Sequence, residues 1–223
     1  LTGSAETVEL TLPPRPLLRG VLHEVGLAAA LVVGTLLIVG ASPGRASVAA
    51  AVFASSVALM LTMSTLYHRV SWPQPARLWM RRGDHAGIYL LIAGSYTPIG
   101  LISLRGTLEI VMLALVWSGA TLAAATRLFW AEAPNWISAV LALSLGWIGV
   151  VALPDLWHSA GWVAVMLILL GGAAYSAGAV VYIRHKPDPA PRVFGYHEVF
   201  HALTLIGIVC QYVAIAFFVI RSG

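Results

Sequence analysis

The chain has 223 residues, of which 59% are hydrophobic and 10% charged, with a net charge of +4 and a single cysteine. Water-soluble domains carry about a quarter charged residues, so composition excludes an ordinary soluble globule, and one cysteine excludes an internal disulfide framework. The basic balance comes without any basic–aromatic nucleic-acid motif, so no nucleic-acid partner is expected.

In chain order, residues 1–18 ("LTGSAETVELTLPPRPLL") hold three prolines and mixed polarity, and read as a flexible N-terminal tail ahead of a helical domain over residues 19–223. Seven runs free of Asp, Glu, Lys and Arg follow, at 25–44, 46–68, 86–104, 110–126, 133–154, 156–183 and 199–220. Each is close to the roughly 20 residues an α-helix needs to cross a bilayer. Lipid offers the backbone no hydrogen-bond partner, so each run is expected to be helical. The fold class is therefore an all-α membrane protein, a seven-transmembrane helix bundle. The first run reads as a span and not as a signal peptide, because its length suits a crossing and it lacks a small-residue cleavage pattern. Proline, glycine and arginine punctuate the connections "ASPGRAS", "WPQPARLWMRRGD" and "RHKPDPAPRVFG". Tryptophans 72, 79, 130, 136 and 157 fall near span ends, where amphipathic rings sit at the interface. Pro98 late in the third span predicts a kink, and "GGAAYSAGA" (171–179) predicts close helix approach in the sixth. Cys210, in the last span, reads as a small apolar core residue.

Seven crossings assign every loop to a side. Arg15, Arg19, Arg69, Arg77, Arg81, Arg82, Arg127, Arg184, Lys186 and Arg192 collect on one side, ten in all, against three (Arg45, Arg105, Arg221) on the other. That positive-inside bias puts the N-terminus in the cytoplasm and the C-terminus outside, in a multi-pass protein of a cell membrane, such as the bacterial inner membrane. Anionic membrane lipids are the natural partners of the basic face.

Ionisable groups at span ends are costly unless paired, hydrated or metal-bound, and so carry the functional information. The second span ends "MSTLYHRV", with Ser64 and His68 on one helical face; the third opens "GDHAGIY", with Asp84 in its first turn; the seventh opens "YHEVFH", with His197 and His201 on one face. Alternating topology places His68, Asp84, His197 and His201 at one depth near the cytoplasmic leaflet, with Ser64 about 6 Å deeper. Three imidazoles and a carboxylate make an open zinc site, with Zn2+ held by His68, His197 and His201. Asp84 would act as base toward a water, and Ser64 would orient it or donate to a developing oxyanion. The plain alternatives are an interfacial polar face for the histidine pair and a bond to its own helix for Ser64.

HEVFH also spells H-E-x-x-H, the zinc metalloprotease motif. No His, Asp or Glu follows residue 201 to supply a third ligand. Glu198 points about 100° around the helix from His197 and is expected to face headgroups or the 184–192 loop. A protease therefore ranks behind a zinc-dependent hydrolase of a lipid amide or ester. A non-enzymatic sensor, receptor or transport-like protein with structural zinc is the other class.

Three blocks, "STLYH" (64–68), "DHAGIYLLIAGSYTP" (84–98) and "HEVFHAL" (197–203), in this order and spacing, resemble the hemolysin III family, the bacterial branch of the progestin and adipoQ (adiponectin receptor-like) superfamily. The resemblance covers nearly all of residues 15–221. It implies a seven-helix bundle with a cytoplasmic-side zinc on His68, His197 and His201, and Asp84 and Ser64 as partners of its water. The superfamily also takes in alkaline ceramidases and related proposed membrane hydrolases. Its eukaryotic receptors open span one with a glutamate–asparagine–histidine pattern, where "RGVLHEVGLAAA" offers only His23 and Glu24, both expected at the interface.

Overall fold

A computed structural model describes residues 16–130 and 134–222. Among them the regular elements are helices: α1 (Val21–Gly40), α2 (Arg45–Arg69), α3 (Gln74–Pro98), α4 (Gly106–Phe129), α5 (Asn135–Trp147), α6 (Leu153–Arg184) and α7 (Tyr196–Ala214). Most of the tail expected over residues 1–18 lies outside the described residues, while Leu17 and Leu18 donate backbone bonds to Arg192 and Val193.

Among the described residues six helical stretches are long and apolar enough to cross a membrane: Val21–Gly40, Arg45–Arg69, Gln74–Ser103, Gly106–Phe129, Trp136–Arg184 and Tyr196–Ser222. Leu31, Val32, Leu36, Val39, Ile110, Leu122 and Phe129 stand exposed on their outer faces. Apolar surface on that scale is what hydrocarbon covers, so the protein is a multi-pass membrane protein.

The fifth and sixth expected spans are continuous in one 49-residue stretch. Straight helix of that length would measure about 74 Å, against a hydrocarbon core of about 30 Å. The stretch is not straight. A short 3-10 segment covers Ile148–Ala152, and Gly161 adopts φ 82, ψ 169, a backbone open to glycine and closed to residues with a Cβ. The chain doubles back there, so that Trp147 Nε1 donates to Ser176 Oγ at 3.0 Å.

In the bundle α2 lies between α1 and α3, α3 packs on α4, and α6 on α7, with α1 also touching α7. The α3 stretch is central, with 78% of its apolar window buried against 17% for α1. Small residues set the approach distances, as lipid-embedded packing requires. A Cβ on Gly87 would lie 3.2 Å from the Met60 backbone, and one on Gly171 3.2 Å from the Gly207 carbonyl. Past Pro98 the third helix widens into a π turn, Ile99–Ser103. Ser95 and Thr97 bond to the Ile92 and Ala93 carbonyls, one turn back, and not to the Gly94 carbonyl that faces the proline.

One expectation needs correcting. α3 starts at Gln74, so Asp84 lies about 15 Å along the helix and not in its first turn. Pro75 suits the first helical turn. The arginines that follow stay helical by packing on aromatic faces, Arg82 over Trp79 at 4.6 Å and Arg77 over Tyr67 at 5.1 Å.

Candidate metal centre

At the end of the bundle that holds the N-terminus of α7, three histidines converge. His68 comes from the last turn of α2, whose C-terminus is closed by Trp72 Nε1 donating to the Leu66 carbonyl at 2.7 Å. His197 and His201 come from the first two turns of α7, one above the other as their spacing of four requires. His68 Nε2 and His197 Nε2 face each other at 3.2 Å. One ring nitrogen from each of the three residues lies within 4.8 Å of the others, so the trio could hold a metal ion. Ligand distances of about 2.0–2.1 Å in a tetrahedral shell put neighbouring nitrogens about 3.3 Å apart, which the His68–His197 pair already meets. His201 is 1% exposed and its Nδ1 has no hydrogen-bond partner, an orphaned polar atom of the kind a metal centre leaves or uses. The donor set therefore fits a divalent metal. Asp84 stands beside it, with Oδ2 3.6 Å from His68 Nε2, too far for a direct hydrogen bond.

Ser64, expected next to the water, sits one turn deeper on α2 and shares a 2.8 Å hydrogen bond with His23 Nδ1. His23 and Glu24 part company here. Glu24 is at the surface, 2.7 Å from Arg69, as expected of an interfacial residue. His23 is not: it is 2% exposed and stacks on His201, ring centroids 3.7 Å apart and planes within 13°. Parallel rings at that spacing cannot both aim in-plane lone pairs at one ion. His23 therefore braces a ligand and is not a fourth one.

Glu198 does not reach the headgroups or the 184–192 loop. It is fully buried, accepts from the Gly195 amide at 2.8 Å and pairs with Arg19 across 2.7 Å. The first contact is the N-cap to N3 bond that satisfies an otherwise unpaired amide at the start of α7. The spacing G-x-x-E just ahead of an apolar run is the signal that identifies it.

A second polar group flanks Asp84. Arg127, 4% exposed on α4, bonds through Nη2 to His85 Nδ1 at 3.1 Å, and the Tyr182 hydroxyl lies 3.4 Å from His85 Nε2. Arginine has only donors, so Nδ1 accepts and Nε2 carries the proton toward Tyr182.

Part of this cluster lines one end of a cavity of about 180 Å³. His23, Ser64, Asp84, His85, His197 and His201 line that end, and the walls beyond are mainly apolar, with Met60, Leu91, Ile99, Leu153 and Leu169 among them, although Ser95, Tyr96, Ser138, Tyr175, Thr204 and Gln211 also line the cavity. Asp84 to Ile99 along α3 spans about 22 Å. The histidines and the carboxylate are thus gathered at one end of a long, mainly apolar slot.

Comparison with known proteins gives a consistent answer. Residues 13–212 match the family described as Haemolysin-III related. Hemolysin-3 of Bacillus cereus is 32% identical over 204 residues, 90% of this chain and 90% of that protein. A hemolysin-3 homolog of Bacillus subtilis (strain 168) is 30% identical over 170 residues, 76% of each chain. The heptahelical transmembrane protein ADIPOR2 of Oryza sativa subsp. japonica is 33% identical over 147 residues, 59% of this chain and 64% of its own.

Proposed function

Since the chain belongs to the Haemolysin-III related family, we propose that it is a zinc-dependent hydrolase of a lipid amide or ester, working near the cytoplasmic leaflet of a bacterial inner membrane. The single observation that carries this reading is the meeting of three histidines beside Asp84 at one end of an elongated, mainly apolar cavity. Seven crossings, with the N-terminus cytoplasmic, go with it. The reversal at Gly161 turns the 49-residue stretch into two arms of membrane-spanning scale, and the ten-to-three distribution of cations sets the orientation.

His68, His197 and His201 would hold the zinc, and bound zinc supplies Lewis acidity and lowers the pKa of a water toward about 7. The chain's own residues do the rest. Asp84 accepts a proton at a carboxylate oxygen and returns it to the leaving group. His85, with its proton on Nε2, holds the Tyr182 hydroxyl at the edge of the slot. Ser64 presents a hydroxyl from the deeper turn, with its orientation set by His23. The apolar walls take up an acyl chain and keep water from the reacting carbonyl.

A structural role for the metal is the second reading, favoured by one feature: the ligands come from α2 and α7, whose main packing partners differ, α1 and α3 for α2 and α6 for α7. Protease chemistry has less to stand on, because both Glu198 oxygens are occupied away from the histidines. The test is a purified protein with its metal content measured, incubated with ceramides and acyl esters with and without chelator. Asp84→Asn, loaded at saturating zinc, is expected to lower turnover at least 100-fold, about the lower bound for general acid–base catalysis. His68→Ala is expected to lose both metal and turnover. Metal-bound wild type that releases no fatty acid across the panel favours the structural reading.

A further inference from the structure

Five residues ahead of α1 pass beside the helix ends that carry the histidines. Leu17 N donates to the Arg192 carbonyl and Leu18 N to the Val193 carbonyl, both at 3.0 Å. Arg19 Nε then stands 2.7 Å from Glu198 Oε1. It is an ion pair and not an aligned hydrogen bond, since neither atom has a hydrogen-bond partner. Next comes Gly20, with φ 79, where a Cβ would fall 2.6 Å from His68 Cβ. The strap therefore bears on both helices that supply histidines: through Arg19 on α7, and through Gly20 on α2.

We propose that residues 16–20 are a clasp that positions the metal ligands, with the Arg19–Glu198 ion pair as its pin. The inference rests on the metal reading above and gives the HEVFH glutamate its role. Glu198 lies about 100° from His197 and about 60° from His201 around α7. Anchoring it fixes the rotation of the first turns of the helix, and so the direction of both rings. The glutamate side chain is 1% exposed and the arginine 22%. A carboxylate so buried needs its cation, so the anchor is strong where it counts. Gly20 is required on two grounds, its left-handed backbone and its closeness to His68, so the same short segment sets how far α2 stands from α7. Glu198 and Arg19 are thus positioning residues; neither touches the reacting atoms.

The test is zinc affinity by competition with a fluorescent chelator, read beside the thermal midpoint of the metal-free protein in detergent. Glu198→Gln and Arg19→Gln are each expected to weaken zinc binding about 10- to 100-fold, the usual effect of losing a partner outside the ligand shell. The double variant should bind no worse than the weaker single one, because one contact is lost once. Arg19→Lys should recover most of the affinity. Wild-type protein that holds no zinc overturns the metal reading and the clasp together. Wild type that holds zinc while Arg19→Gln binds equally well overturns the clasp alone. A lower metal-free midpoint with unchanged affinity does the same, because it marks a role in the fold only. Should Glu198→Gln not fold, the Arg19 pair of variants decides the matter without it.

Discussion

Replacing His23 separates two tasks that one ring performs. Its Nδ1 shares a 2.8 Å bond with Ser64 Oγ, and its face stacks on His201 at 3.7 Å. His23→Phe keeps a flat ring of similar shape and removes the bond together with the unpartnered Nε2, leaving a buried hydroxyl short of a partner at about 1–3 kcal/mol. His23→Ala also removes the stack, about 0.5–1.5 kcal/mol more, and opens a void beside a ring that is 1% exposed. For a chain of this length each kcal/mol moves Tm by about 2–4 °C. His23→Phe is thus expected to lower Tm by about 2–12 °C, and His23→Ala by about 1–6 °C beyond that. The more informative reading is zinc affinity. The phenylalanine still braces His201, so affinity should stay within about threefold of wild type, whereas alanine frees the ring and should cost about tenfold or more. Thermal unfolding in detergent and chelator competition on the same preparations measure both. If His23→Phe loses as much zinc affinity as His23→Ala, the stack is not what holds His201, and the reasoning fails.

Two further expectations concern the frame. The Tyr96 hydroxyl accepts from Gly149 N at 2.6 Å and lies 3.1 Å from the Leu145 carbonyl, tying down the 3-10 segment between α5 and α6. Tyr96→Phe should cost about 1–3 kcal/mol and speed amide exchange at Gly149; unchanged exchange there would show that the segment holds itself. Arg69 and Glu24 meet at 2.7 Å but keep 40% and 48% of their side-chain surface exposed. A double-mutant cycle in detergent should return a coupling of about 0–1 kcal/mol, and a larger value would mean that the pair is shielded by lipid.

Much of the site could be read without coordinates because its signals are local or follow from alternation. A spacing of four puts His197 and His201 on one face, and counting crossings brings His68 to the same end. His23 lacked both kinds of signal: it stands alone in the first turn of α1, and its partners lie 41 and 178 positions further along. Glu198 failed for the opposite reason. Its neighbours spell a familiar motif, which drew attention from the glycine three positions before it that decides where the carboxylate goes. Gly161 was hidden because glycine is common in membrane helices, so one more in an apolar run marks no turn.

The misplacement of Asp84 has the most consequence. A carboxylate in the first turn of a membrane helix can be hydrated and needs no partner. Carried about 15 Å along α3 and left 13% exposed, it cannot rely on water. His68 Nε2 stands 3.6 Å away, and an imidazole that ligates a metal does so as the neutral ring, with no charge to balance the carboxylate. A divalent ion on the three imidazoles balances it. The same ion, without Asp84, would leave two positive charges in a low-dielectric pocket whose other buried carboxylate, Glu198, is already paired with Arg19. Each charge makes the other's burial tolerable, so Asp84→Asn should weaken zinc binding measurably while leaving all three ligands in place. Tighter binding in that variant would refute this coupling.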